Sequence, residues 1–412
     1  MSLKSYLLAF CAVLMCAFSP AAARAQPGLL LGVTDDAFKW AQRPAPLQQA
    51  IAQLGLGAVR LTQSWAPGQT GISAADAAPL ARGIANARGL RVVLSVYGSA
   101  SAAPQTDQAR AQYCGYVRSI LQRFPQVHDV VIWNEVNSSR FWSPQVDPTG
   151  AAVAPGQYEA LLAACYGPLQ TVRPGVNVIA TVAPRGNDDP QSRGALGIPP
   201  ADFVRGLGAA YRASGRPVKT FDTFALNAYG LTSAERPWRT HAHAVDLSEG
   251  DYPRLLAALS DAFGGTGQPL PGVGGVSVWY LEDGFQTTVD PAKAPLYTGS
   301  ENDRSALPAV GAHADSGSPA ATSAAPDQAT QLADAIRLAY CQPGVGAFFN
   351  FLLADEPDLG AWQSGVLWVD WTPKPSFDAL AQVVAQVRAG QVDCSTVPGA
   401  PTAAGSSTGG TP

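Results

Sequence analysis

Short apolar runs recur along the chain, each followed by an Ala/Leu-rich stretch of helical length, and this repeat restricts the fold more than any other feature. The runs are LLLGV (29–33), GAVRL (57–61), RVVLSVYG (91–98), DVVIWNE (129–135), VNVIATVAP (176–184), FDTFALNAYG (221–230), GVSVWYLEDG (275–284) and GAFFNFLL (346–353). Helical stretches follow at 45–54, 74–88, 105–124, 156–172, 201–214, 251–264, 327–341 and 376–389. Continuously apolar runs, unlike alternating ones, suit strands covered on both faces, as in a parallel sheet. Eight strand–helix units in order predict α/β architecture, a (β/α)8 TIM barrel forming a single domain over 26–394. An open doubly wound sheet would call for a phosphate loop after its first strand. LGVTDD there has one glycine and no G-x-G-x-x-G.

The ends of the chain read differently. Lys4, the run YLLAFCAVLMCAF and the small-residue AAARAQ resemble an export signal over 1–25, cleaved after Ala25. The run is too short for a comfortable membrane span, and Met15 is not the small residue that a lipoprotein site at Cys16 would want. No membrane span is expected after cleavage, and the mature chain is expected to be secreted, periplasmic or at the cell surface. Residues 395–412, STVPGAPTAAGSSTGGTP, read as a disordered low-complexity tail. The polar segment before the helix at 327–341 is expected to be mobile at its centre.

Beyond the signal, Cys114, Cys165, Cys341 and Cys394 remain, an even number for an oxidising compartment. Of three pairings, 114–165 and 341–394 are favoured, because the first two fall in successive helices that would be neighbours around a barrel. Buried free thiols are the alternative. Only 14% of residues are charged, the formal net charge is −4 and the basic residues are not clustered, so no nucleic-acid partner is expected. His241 and His243, spaced HAH, lack a partner set of ligand spacing and read as loop residues. Without a G-x-S-x-G elbow, a Ser-His-Asp triad is not supported. Neither metal nor cofactor is expected.

Barrel chemistry is carried at the C-terminal ends of strands. Those ends hold Asp35 and Asp36, Arg60, Tyr97, Asn134 and Glu135, Arg185, Asn227 and Tyr229, Glu282, then Asp355 and Glu356. Glu135 and Glu282 end the fourth and seventh runs, which face one another across an eight-stranded barrel. A buried acid is costly unless it is paired or working. Two facing carboxylates are what glycosidic bond cleavage requires, one protonated and one ionised, and their proximity drives their pKa values apart. Asp283 is the rival to Glu282, and Glu135 has the bland reading of a solvated strand end.

WNEVN resembles the strand-4 motif of clan A glycoside hydrolases, and VWYLEDGFQT is similar to their strand-7 motif. SGVLWVDWTPKPSF (364–377) resembles their final turn into the last helix. The nearest type is that of families 5 and 39. The resemblance implies a retaining O-glycoside hydrolase acting on β-linked oligo- or polysaccharide by double displacement, with Glu135 as acid/base and Glu282 as nucleophile. It further implies that Asn134 binds the hydroxyl beside the reacting carbon, that Arg60 holds the nucleophile ionised and that Tyr229 donates to it. Strand 6 departs from the family in reading LNAYG, and strand 8 in reading FFNFLL without its usual Trp. Trp65, Trp142, Trp238 and Trp362 are the candidates for stacking platforms under the sugar. A non-catalytic carbohydrate-binding barrel for surface recognition and a transglycosylase are the competing functions. A monomer with a carbohydrate as its sole partner is expected.

Overall fold

The computed structural model describes residues 28–186, 197–242, 245–272, 275–301, 307 and 326–401. Residues 1–25, the centre of the polar segment before residue 326, His243 and the chain beyond 401 lie outside these. Eight strands pair in parallel and in chain order: β1 (Leu30–Thr34), β2 (Ala58–Ser64), β3 (Arg91–Tyr97), β4 (Val127–Ile132), β5 (Asn177–Val182), β6 (Thr223–Asn227), β7 (Ser277–Asp283) and β8 (Val345–Phe351). β8 pairs with β1 and closes the barrel. The helices are α1 (Ala37–Trp40), α2 (Ala45–Leu54), α3 (Ala74–Asn86), α4 (Asp107–Arg123), α5 (Ala154–Val172), α6 (Pro200–Ala213), α7 (Tyr252–Phe263), α8 (Gln328–Cys341) and α9 (Ser376–Arg388). The short α1 was not legible in the sequence, and β4 stops three residues before the predicted end of its run.

Local chemistry sets where the helices begin. Ser73, Thr106 and Asp327 each accept a hydrogen bond from a backbone N–H two or three residues into α3, α4 and α8, satisfying donors that the helix itself leaves open. Inside the barrel, side chains stack in layers. Near the N-terminal ends, Arg91 grips Asp129 with two 2.6 Å hydrogen bonds, and Asn177 donates to the same carboxylate. Above them sit Ala58, Val93, Val131, Ile179, Ala225, Trp279, Ala347 and Phe349, all buried. Gly32 is required in β1 because a Cβ there would lie 2.6 Å from the Phe349 ring. The next layer towards the C-terminal ends turns polar, with Arg60, Ser95, Thr181 and Asn227 fully buried.

Both favoured disulfides are present. Cys114 on α4 joins Cys165 on α5, and Cys341 at the end of α8 joins Cys394. The second bond holds the C-terminal segment to the barrel. Val397 and Ala400 pack against the core, and Gly399 lies against Trp238. Residues 395–401 therefore belong with the barrel, past the boundary at 394 read from composition. No helix among the described residues is long and apolar enough to cross a membrane.

The two bonds close segments with sequence separations of 51 and 53, long enough that each constrains the unfolded chain substantially. Replacing either cysteine pair by serine is expected to lower the unfolding free energy by about 2–4 kcal/mol, read from urea titrations of the variants against the parent.

Candidate active site

β4 ends by turning sharply. Trp133 and Glu135 both adopt positive φ, 68° and 40°, a region that costs a non-glycine residue about 1–3 kcal/mol. What holds the turn is packing around the Trp133 ring. That ring is fully buried and meets Trp65 at 6.1 Å, Tyr113 at 5.7 Å and Trp142 at 5.7 Å. Its Nε1 donates to Phe141 O at 2.6 Å, and its backbone N donates to Val96 O at 3.0 Å. Gly98 lets Trp65 come close, since a Cβ there would sit 2.3 Å from Trp65 O. Asn137, also buried, fastens the far side of the turn, accepting from Ala183 N and donating to Ala183, Arg185 and Ile198 carbonyls. The turn presents Asn134 and Glu135 at the barrel mouth.

This corrects part of the sequence reading. Trp65 and Trp142, expected as sugar platforms, are 2% and 0% exposed. They pack the Trp133 turn and offer no face to a ligand. Trp238 is half-buried under the Arg236 guanidinium and against Gly399, while Arg236 itself reaches Asp334 and Gln331 of α8. Its contacts tie it to the C-terminal segment rather than to the carboxylates. Trp362, by contrast, keeps an exposed ring face. It is 41% exposed, stacks on Tyr229 at 5.7 Å and 25°, and meets the edge of Phe351 at 5.4 Å.

Irregular pairing sets the direction of Glu282. The β6–β7 register shifts after Leu226, so that Asn227 pairs with Glu282 instead of Leu281. Such a bulge re-aims a side chain that strict alternation would turn away. Glu282 then meets Arg60 through Oε1 and accepts from the Tyr229 hydroxyl at 3.1 Å through Oε2. Arg60, 1% exposed, also donates to Asn134 Oδ1 at 2.8 Å and to Ser95 Oγ at 2.7 Å. Burial, and then the Glu282 and Glu135 charges, push the Tyr229 hydroxyl far above its usual range, so it remains a neutral donor. Asp283 turns the other way into the protein. Burial lifts it to about 8, and burial first, then the Asp283 charge, push Glu249 well above its usual range. It has no contact with Arg60 among the described residues.

Glu135 sits in a contrasting environment. Burial first, and the Glu282 charge second, raise it to about 7, against the opposing hydrogen bond from Asn227. Asn227 Nδ2 donates to Glu135 Oε1 at 2.8 Å. The sequence listed Asn227 among strand ends but gave it no role; only the fold shows that it reaches Glu135. Tyr97, raised to about 12 chiefly by burial, feels the charges of Arg60, Glu282 and Glu135 from β3. Arg60, Asn134, Glu135, Tyr229 and Glu282 thus converge on one mouth, together with Asn227 and Tyr97. Asp35 serves the scaffold instead, accepting from Leu353 N and Ala354 N.

The loops beyond β6, β7 and β8 are laced together. Buried Lys374 pairs with Asp355 at 2.7 Å and donates to Thr287 Oγ1 and Gln363 O. Gln286 and Gln363 exchange hydrogen bonds, fixing the segment that carries Trp362. His241 is a structural clamp, with Nδ1 at 2.7 Å from Asp251 and Nε2 at 2.9 Å from Glu235.

No protein-family model matches the chain, and no curated protein does. Solved structures do match it. A β-glucosidase from Thermotoga maritima in complex with castanospermine superposes with a TM-score of 0.52 at 14% identity, over 88% of this chain and 98% of that one. A GH39 β-xylosidase from Caulobacter crescentus gives 0.51 at 14% identity, over 88% of this chain and 73% of that one. The likeness is one of fold. It establishes the (β/α)8 barrel class of these glycosidases and leaves the chemistry to this chain's own residues.

Arg60 is buried among groups that need its charge. Arg60→Leu is expected to destabilise the fold by about 3–5 kcal/mol, because it strands the Glu282 carboxylate. Arg60→Leu/Glu282→Leu is expected to recover most of that loss, and urea unfolding of the single and double variants measures the coupling.

Proposed function

We propose that this protein is an exported, retaining O-glycoside hydrolase that cleaves β-linked oligo- or polysaccharide by double displacement. The observation that carries this reading is the unequal treatment of two converging carboxylates. Glu282 accepts hydrogen bonds from a buried guanidinium and a phenol, which fix the direction of its carboxylate as a nucleophile requires. Glu135 is part-buried beside that carboxylate and raised to about 7, which favours the protonated form a general acid needs. In the first step Glu282 attacks the anomeric carbon while Glu135 gives its proton to the departing oxygen. In the second, ionised Glu135 takes a proton from water, which displaces Glu282 and regenerates the starting state. Asn134, anchored by Arg60, is placed to hold a hydroxyl beside the reacting carbon.

The carbohydrate assignment is supported by Trp362 and Tyr229, whose stacked rings form a wall beside Glu282. An exposed aromatic face suits the apolar C–H face of a sugar ring. The β-linkage rests on the sequence resemblance. Export rests on residues 1–25, and predicts a mature protein beginning at Gln26, checked by N-terminal sequencing of the secreted material. A monomer is proposed.

The test is hydrolysis of nitrophenyl β-glycosides and soluble β-glucans and β-xylans. Glu135→Ala is expected to lose about 10²–10⁴-fold in kcat/KM, and Glu282→Ala to lose all measurable turnover. Because protonated Glu135 is the active form for the first step, kcat/KM should fall as pH rises through about 7, and Glu135→Gln should lack that limb. Product NMR should show retained anomeric configuration, with a carboxylate separation of about 5–5.5 Å in a crystal; inversion and about 6.5–9.5 Å would remove the nucleophile assignment. Sugar binding without turnover would favour the carbohydrate-binding barrel. Transfer to an added acceptor sugar in preference to water would favour the transglycosylase.

A further inference from the structure

Asn227 is the last residue of β6, fully buried, and its side chain is committed to a single task. Nδ2 donates to Glu135 Oε1 at 2.8 Å. Oδ1 is also buried, yet it has no hydrogen-bond partner among the described residues. A buried acceptor left open costs about 1–3 kcal/mol, so the amide gives up its own oxygen to keep its N–H on the carboxylate. Turning the amide over would set Oδ1 against Glu135 Oε1, which is tolerable only if Oε1 itself carries a proton.

These facts bear on a choice that every carboxylic acid catalyst must make. Only one of two oxygens can hold the proton, and only one can face the leaving group. An oxygen that already accepts a hydrogen bond from a buried N–H is the poorer site for a proton. Glu135 Oε2 is engaged by none of the described residues, and Glu135 is partly open to solvent at the mouth. We propose that Asn227 is a positioning residue for proton delivery: by donating to Oε1 it confines the proton of Glu135 to Oε2, the oxygen left free for the leaving group.

The groups around Glu135 are accounted for. Glu282 on β7 favours its protonated form, whereas Arg60 on β2, Arg140 beyond β4 and the Asn227 amide oppose it. Tyr97 on β3 and Tyr229 beyond β6 are held neutral and feel the Glu135 charge. Asn227 is the one among these that distinguishes the two carboxyl oxygens by a hydrogen bond. The inference rests on Glu135 being the acid of the proposed reaction, but its central test needs no turnover.

The test is a titration of protein labelled with ¹³C at the glutamate carboxyls, with Glu135 assigned by its absence in Glu135→Gln. The parent should titrate near 7. Asn227→Leu removes a donor to the carboxylate, so the acid form gains and the midpoint should move up by about one to two pH units. Asn227→Asp keeps the shape but offers an acceptor and a like charge, and should move it further the same way. If Asn227→Leu does not fold, Asn227→Ala, smaller and equally without a donor, takes its place. A Glu135 midpoint unmoved, or moved down, in the folded variants overturns the proposal. A second readout separates positioning from simple damage in any variant that turns over. Asn227→Asp should slow nitrophenyl β-glycosides, whose departure needs the proton, by at least about 10-fold more than dinitrophenyl β-glycosides, whose departure does not. Equal losses on both would assign Asn227 to scaffold only. No turnover in the parent would defeat the hydrolase reading while leaving the titration result intact.

Discussion

A single buried guanidinium organises the mouth of this barrel. Arg60 rises from the middle of β2 with its charge removed from water, and an unpaired charge there would be prohibitively costly. Its planar fork satisfies three neighbours on three other strands: Ser95 beside it on β3, Asn134 past β4 and Glu282 across the barrel on β7. A lysine could not make that set of directed contacts, because its ammonium is a point charge on a flexible stem. The position of Glu282 and the orientation of Asn134 are therefore coupled. The electrostatic difference between the two glutamates follows, since Arg60 lies against one and only influences the other at a distance.

The second constraint is mechanical. Glu135 leaves its strand through a turn with two left-handed non-glycine residues, which would relax if nothing opposed it. Rings from the chain just after β2, from α4 and from the chain after β4 enclose Trp133 and oppose it. Stability spent on that aromatic cluster is converted into the aim of one carboxylate. Trp65 and Trp142 illustrate how residue type alone misleads. Tryptophan is as useful for locking a strained turn from below as for floor-laying under a sugar, and burial decides between the two. Trp362 is held beside Tyr229 with an exposed face because its loop is fixed by the Lys374–Asp355 pair and the Gln286–Gln363 exchange, both of which exclude water and so strengthen their hydrogen bonds.

Much of this was legible before any coordinates. The eight-fold alternation of apolar runs and helical stretches specified a closed parallel barrel, because runs buried on both faces have few other homes. That inference placed Glu135, Glu282, Arg60 and Tyr229 at strand ends on one rim, and the structure brings all four together with Asn134. The Cys114–Cys165 pairing followed from the same neighbour relation between consecutive helices, which left Cys341 for Cys394. Less legible was the course of residues 395–401: STVPGAP looks featureless, yet the Cys341–Cys394 bond draws it back onto Trp238.

The sequence by itself determined the fold class and the rim, and singled out Glu135 with Glu282 or its neighbour Asp283, since periodicity and strand-end chemistry are local properties written along the chain. The tertiary structure alone decided between Glu282 and Asp283, because a one-residue register shift between β6 and β7 chooses which of two adjacent acids faces the mouth. It alone gave Asn227 its partner 92 positions away, and it alone sorted the tryptophans. Each of these depends on contacts between residues far apart in the chain, whose packing and burial no local pattern records.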